Sequence, residues 1–285
     1  MEHISEILEE VRGQKVEPIK TGIAYLDETI GGYYPGEMTT VCGEEGCCKT
    51  AFVIQQICKI AINEKVPTLL LLNYMLERNF LASMIAYYYS LEVDSVHDIF
   101  DKEKYKEIVD NFMSLLKDSP LYMIKAEWYV ETPVFERIVN LVERKNVKMM
   151  FVDEVFYDLS LEDAAKLHCI RDIAVERNIP VVVTCELSND RESFGGAEPL
   201  LFDLGRSSYL HGHDVVIGFS NYEEHRIFED ERGNDLHGII SIKVLKHRGK
   251  ITKESYHIPK DYFYLHNYES ESETSFAHFP GEKAS

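Results

Sequence analysis

The sequence predicts an α/β fold: a doubly wound, mostly parallel sheet with antiparallel edge strands, preceded by a short linker helix. Three observations predict it. Apolar runs of strand length alternate with stretches of helical spacing from residue 38 to residue 185. A glycine-bearing turn, Gly43-Glu44-Glu45-Gly46-Cys47-Cys48-Lys49-Thr50, separates the first such run from the first such helix. Beyond Ser188 the alternation stops, and a loop rich in Gly, Pro, Asp and Glu leads into further strands that suit a sheet edge.

Taken in order, residues 3–13 place Ile4, Ile7, Leu8 and Val11 on one helical face. A helix this short is marginal alone in water, so it docks on its own domain or on a neighbouring subunit. Residues 1–18 are therefore read as linker helix and linker, 19–265 as the catalytic-type domain and 266–285, rich in Ser and Glu, as a disordered tail. Within the domain, strands are expected at Met38–Cys42, Thr68–Leu72, Leu121–Lys125, Lys148–Asp153 and Pro180–Cys185. Helices are expected at Ala51–Asn63, Arg78–Tyr89, Asp101–Lys117, Val134–Arg144 and Leu161–Arg177. Asn189–Leu204 reads as a loop, and Asp214–Phe219, Gly238–Leu245 and Lys253–Ile258 as strands, the later ones antiparallel.

Length and composition bound the function. A chain of 285 residues, 45% hydrophobic and 28% charged, holds a full core, and one α/β domain of about 230 residues fits it. It has no run of 18 apolar residues, and its acidic start does not resemble a signal peptide, so a cytoplasmic protein without a membrane anchor is expected. A net charge of −19 argues against a generally basic nucleic-acid-binding surface, though not against a basic channel inside a ring. The six cysteines form no C-x-x-C pair and have no histidine at zinc spacing. Cys47 and Cys48 stand where a helix N-terminus would lower a thiol pKa, which allows redox sensitivity; the alternative is small residues in a tight loop of a reduced protein.

The glycine-bearing turn is the chemical centre of the sequence. Between a strand and a helix, the residues from Gly43 to Ala51 suit a phosphate-binding loop, in which backbone N–H groups and the helix dipole surround phosphate oxygens. Lys49 would neutralise β/γ oxygens and Thr50 would offer its hydroxyl to Mg²⁺. The pattern G-x-x-x-x-G-K-[ST] has glycine where Cys48 stands, because the backbone there approaches phosphate closely with φ > 0. Some hundred residues later, Met149-Met150-Phe151-Val152-Asp153 ends an apolar strand in a carboxylate suited to Mg²⁺, and Glu154 beside it is a candidate to polarise attacking water. Lys246 and Arg248, one residue apart on a strand, would project together toward an anion, or be solvated charges at an exposed strand end.

These motifs, in this order, resemble the C-terminal motor domain of DnaB-type replicative helicases, a RecA-like ATPase. The resemblance is carried by Thr21-Gly22-Ile23-Ala24-Tyr25-Leu26-Asp27, by Gly31-Gly32-Tyr33-Tyr34-Pro35-Gly36-Glu37 running into the phosphate loop, and by Leu69–Met75 with Leu81-Ala82. It continues through Val152-Asp153, Val181–Leu187, Asp203-Leu204, His213–Val216 and Lys246-x-Arg248, and spans about residues 1–258. It implies ATP and Mg²⁺ as cofactors and a homo-oligomeric ring such as a hexamer. It also implies single-stranded DNA as substrate, Lys246 and Arg248 acting on a neighbour's ATP, and residues 3–13 as the linker helix that packs on an adjacent protomer. The resemblance covers the motor domain, and the primase-interacting N-terminal domain of such helicases is expected to be absent.

The sequence also departs from the family. Met75 stands where the catalytic glutamate is expected, with Glu77 two residues on, and Glu186 replaces the sensor glutamine that faces the γ-phosphate. The DNA-facing segment, Asn189 to Arg206, holds only Arg191 and Arg206 as cations. Two functions follow: a ring-forming ATPase in which Glu154 or Glu77 orients water, or a degenerate nucleotide binder that serves as an assembly or regulatory subunit. A RecA-like signalling ATPase of the circadian-clock type is a third reading, which fits Lys246-x-Arg248 and the linker helix less well. Tyr222 is a candidate to stack on the base, or an ordinary structural tyrosine.

Overall fold

The computed structural model describes residues 3–13, 15–125, 133–156, 161–187, 198–204, 212–230, 232–248 and 255–265. Strands β1 (Met38–Gly43), β2 (Thr68–Leu72), β3 (Leu121–Lys125), β4 (Met149–Phe156), β5 (Val181–Glu186), β6 (Val215–Asn221), β7 (Ile239–His247) and β8 (Ser255–Pro259) form one sheet of order β3-β2-β4-β5-β1-β6-β7-β8. The neighbours from β3 to β6 run parallel, and β7 and β8 are antiparallel, as the sequence predicts. The inner strands are buried on both faces, which is why they read as unbroken apolar runs.

The period of two along each strand divides its side chains between two cores. Leu70, Leu72, Phe151 and Val182 pack on one face with Phe52, Phe80 and Phe112. Leu69, Leu71, Met150, Val152, Val181 and Val183 pack on the other with Ile138, Val142 and Ile170. Helices α3 (Lys49–Ile57), α4 (Glu77–Tyr88) and α6 (Lys106–Lys117) cover the first face; α7 (Pro133–Arg144) and α8 (Leu161–Arg177) cover the second. Each fully buried Leu, Ile or Phe contributes about 1.5–3 kcal/mol, so the two layers dominate the stabilisation.

Four local differences have physical causes. The helix expected from Ala51 starts at Lys49 and widens into a π-helical turn over Cys58–Asn63. The helix expected over Asp101–Lys117 is interrupted because Lys102 is extended (φ −99°, ψ 128°), leaving α5 (Asp98–Asp101), a 3₁₀ turn at Glu103–Tyr105 and then α6. A six-residue helix α2 (Ala24–Thr29), which no apolar spacing announces, is tied down by Asp27, which accepts hydrogen bonds from the backbone N–H groups of Thr21 and Gly22. Finally, β4 continues past Asp153 to Phe156.

Helix α1 (Ile4–Gly13) forms as expected, with Ile4 78% and Leu8 66% exposed in the single chain. Arg191, Arg206 and the tail 266–285 lie outside the described residues, so the readings placed on them stay expectations.

Candidate functional site

The turn from β1 into α3 has the geometry of a phosphate cradle. Gly43 admits no side chain, since a Cβ there would lie 2.4 Å from Cys47 Sγ and 2.5 Å from Phe219 O. Gly46 is left-handed at φ +77°. Cys48 adopts φ 69°, ψ 20°, keeping the left-handed conformation that the pattern reserves for glycine. That conformation costs a residue with a Cβ about 1–2 kcal/mol. The loop is thus preserved in shape, with strain stored at its last turn. Neither thiol is activated: burial pushes Cys47 up to about 12 and raises Cys48 as well, which corrects the expectation that the helix N-terminus would lower them. Cys48 Sγ lies 3.6 Å from Tyr264 OH.

Lys49 is buried, and its ammonium donates to Gly43 O (2.9 Å) and Glu44 O (2.6 Å), the carbonyls that line the loop. Glu44 itself pairs with His225 at 2.7 Å. Glu45 is exposed at the loop's tip, and Asn221 Nδ2 donates to Gly46 O at 3.3 Å. Ala51 lies behind the loop, on the wall of a cavity of about 590 Å³ that Thr50, Ile54, Met75, Leu91 and Phe263 also line.

The second half of the site rests on a β-bulge. Val152 pairs with Val183 and Val155 with Cys185, so Asp153 and Glu154 together oppose Thr184 alone. Regular alternation would send those two carboxylates to opposite faces. The bulge, with Glu154 at φ +64°, redirects the chain. Thr184 joins them: its hydroxyl donates to Asp153 Oδ1 (2.9 Å) and accepts from Glu154 N (2.7 Å). Asn73 Nδ2 completes the support with a 2.8 Å bond to Glu154 O. Asp153 is 1% exposed and lies 3.5 Å from the Thr50 hydroxyl, so the two groups picked out for a cation do meet.

Burial raises the Asp153 carboxyl, against the hydrogen bonds from Thr184 and Thr50. Burial also raises half-buried Glu154, helped by the charges of Asp153 and Glu186. Glu186, the last residue of β5, is level with Gly43 in the sheet, which puts its carboxylate at the phosphate end. Glu77 stands apart, at the start of α4, 3.4 Å from Lys125, with its carboxyl lowered by its own backbone N–H. Tyr222 donates to Glu198 at 2.8 Å and packs edge-on against His257, a structural engagement.

Lys246 and Arg248 lie at the other end of the sheet. His247, the last residue of β7, pairs with Val215, and Lys246 with Val216, level with Thr39 and Thr40 in β1. The phosphate loop begins beyond Gly43, about 10–13 Å further along the strands. Lys246 Nζ donates to His213 O at 2.5 Å. Arg248, one residue past the strand at φ +45°, is held by Glu37 and Ile30 O and lies over the Tyr34 ring. The alternation that predicted a shared direction ends at His247, and the two cations take different partners.

The structure brings the loop, Asp153 and Glu154, which the sequence singles out, to one place, and adds Thr184, Asn73 and Asn221, which the sequence reading does not name as supports. A polar residue inside or just after an apolar strand was the available signal for the first two.

Comparison with known proteins agrees with this geometry. The model of the DnaB-like helicase C terminal domain matches residues 18–262. Replicative DNA helicase DnaB of Mycoplasma pneumoniae is 22% identical over 237 residues, covering 77% of this chain and 49% of that protein. The Rickettsia felis DnaB is 21% identical over 269 residues, covering 81% and 53%. The chain therefore spans about half the length of these relatives. Among solved structures, one described as an ATPase domain superposes with a TM-score of 0.69 at 16% identity, covering 91% of this chain and 95% of that one. A DnaB-like replicative helicase solved for its interactions with primase gives 0.67 at 16%, covering 89% and 63%. With the phosphate cradle, the bulged carboxylate strand and the RecA-like sheet in place, the chain belongs to the DnaB-like helicase C-terminal domain family.

Proposed function

We propose that this protein binds Mg-ATP at the β1–α3 loop and hydrolyses it between subunits of a homo-oligomeric ring, such as a hexamer, to act on single-stranded DNA in replication or a related process in the cytoplasm. The observation that carries this reading is the convergence on one loop of Lys49, Thr50, Asp153 and Glu154, with Thr184 holding the Asp153 carboxylate and the Glu154 backbone N–H.

The residues fit the group. Gly43 and Gly46 keep the loop open to an anion, Lys49 already spans the carbonyls around it, and the Thr50–Asp153 pair is an oxygen-donor set of the kind Mg²⁺ takes. Thr50 and Asp153 would hold Mg²⁺, which when bound would supply charge neutralisation to the phosphates. Lys49 would transfer its hydrogen bonds from the loop carbonyls to phosphate. Glu154, whose raised pKa makes its carboxylate the more basic, would accept a proton from the attacking water; Glu77, lowered and paired to Lys125, suits that role less. Glu186 would sit beside the γ-phosphate. The nucleoside would extend past Thr50 and Ala51 toward the 590 Å³ cavity.

Lys246 and Arg248 cannot reach phosphate in their own subunit, because they sit at the opposite end of the strands from the loop. A neighbour that abuts this end would receive them, which is the support for action in trans. The experiment is ATP hydrolysis with and without single-stranded DNA by wild type, Lys49→Ala and Glu154→Gln. DNA-stimulated turnover lost in both variants supports a motor.

A second reading is favoured by the strained Cys48 and by the carboxylates of Glu45, Glu154 and Glu186 near the loop. It is a degenerate binder acting as an assembly or regulatory subunit, and nucleotide binding without turnover would select it.

A further inference from the structure

Arg248 is seated in its own subunit. Its Nε donates to Glu37 Oε1 at 2.6 Å, its Nη2 to Glu37 Oε2 at 2.6 Å, and its Nη1 to Ile30 O at 3.1 Å. The guanidinium carbon lies 4.4 Å from the centre of the Tyr34 ring, and His247 Nε2 also contacts Nη1. This is a two-pronged carboxylate fork closed by an aromatic face, the arrangement that best satisfies a guanidinium. The seat is built rather than incidental. Glu37 is fixed by its N–H to Tyr34 O and by its carbonyl, which accepts from Val181 N; Arg248 N donates to Asp214 O at 2.8 Å. Asp214 is in turn paired with Arg171 and accepts from Met38 N.

A guanidinium so engaged has its charge offset by Glu37 and few N–H groups left for phosphate. We propose that Glu37 and Tyr34 form a parking seat for Arg248, so that a neighbour's phosphate must draw the guanidinium off Glu37 before it can act in trans. The inference rests on the reading of Arg248 as a residue that serves the adjoining subunit. It adds a positioning pair, and it makes subunit engagement a competition between an internal carboxylate and an external phosphate for one cation.

The test compares wild type with Glu37→Gln, Glu37→Asp, Tyr34→Leu and Arg248→Ala on the full chain. The first readout is the rate at which phenylglyoxal modifies Arg248, followed by peptide mass mapping without nucleotide. An exposed ion pair holds its partners by a factor of about 2–5, so Glu37→Gln and Tyr34→Leu should speed modification by that factor while Glu37→Asp stays near wild type. The second readout is steady-state ATP turnover, where Glu37→Gln should raise kcat by about the same factor with KM unchanged, and Arg248→Ala should lower it. Equal modification rates in wild type and Glu37→Gln overturn the seat. A Glu37→Gln kcat reduced toward that of Arg248→Ala overturns parking and makes Glu37 a residue that aims Arg248 instead. A wild type with no turnover defeats the ATPase reading, and the modification rates still decide the seat on their own.

Discussion

The two ends of the sheet are built on opposite principles. At the loop end, the backbone is forced into left-handed conformations at Cys48 and Glu154, a bulge breaks the β4–β5 ladder, and carboxylates gather at Asp153, Glu154 and Glu186. At the other end, cations and their partners interlock: Arg171 with Asp214, Lys246 with His213 O, Arg248 with Glu37, and buried His213 with Thr40 at 2.5 Å. The first end is strained and rich in carboxylates, with the Lys49 ammonium held by the loop carbonyls. The second is satisfied as it stands. The difference teaches that the β1–α3 loop and the Lys246/Arg248 pair do not meet within one chain, so under the proposed function the two ends would come together only between subunits.

The comparison is most severely tested by Glu154→Gln, which removes the proposed base and should lower turnover by about 10²–10⁴-fold while nucleotide still binds. Glu77→Gln should leave turnover close to wild type; the reverse ranking would relocate the base to α4. The pH profile sharpens the same point. Because the Glu154 carboxyl is raised and the base must be ionised, turnover should climb with pH through a limb above the ordinary carboxylate value of 4.5. Glu186→Gln, by removing one of the charges that raise it, should move that limb to lower pH.

Thr184→Val probes the support of the strained end. The hydroxyl's bonds to the buried Asp153 carboxyl and to Glu154 N are lost at once, and a buried group left unsatisfied costs about 1–3 kcal/mol, so thermal or urea unfolding should register a loss in that range. A variant as stable as wild type would show that Asp153 and Glu154 hold their places without Thr184.

The satisfied end has its own titration. Burial depresses His213 to about 3, aided by Lys246, Arg171 and His168, so it is neutral when folded. The unfolded histidine titrates near 6.5, so the neutral imidazole supports the fold fully above that pH, and its contribution declines as pH falls from 6.5 toward 3. The drop in melting temperature between pH 7 and pH 5 should therefore be smaller in His213→Gln. An unchanged slope would remove His213 from the acid response.

The smallest effect is expected of Cys48→Gly. Relief of the left-handed strain and the greater freedom of the unfolded glycine oppose each other, leaving a net change of about 1 kcal/mol or less. Nucleotide affinity, measured by titration, should rise because the Cβ no longer crowds the loop.

The phosphate loop, the alternation of strands and helices and the carboxylate strand were all legible in the chain, because each is a local pattern with a fixed period or spacing. Glycine where φ must be positive or a side chain would clash, apolar runs where both faces are covered, and a carboxylate following a buried apolar run, as Asp153 does, need only neighbouring residues to be read. What only the tertiary structure decided depends on register. The bulge that turns Glu154 toward the loop exists because two residues of β4 face one of β5. Thr184 becomes the bridge between the Asp153 carboxylate and the Glu154 backbone because it is that one residue. The fate of Lys246 and Arg248 is likewise set by the antiparallel course of β7, which carries them away from the β1–α3 loop and brings Arg248 to Glu37, 211 residues earlier in the chain. Local sequence determined which chemistry is present; the pairing of distant strands determined which groups can meet, since a shift of one residue in register exchanges the faces to which every side chain points.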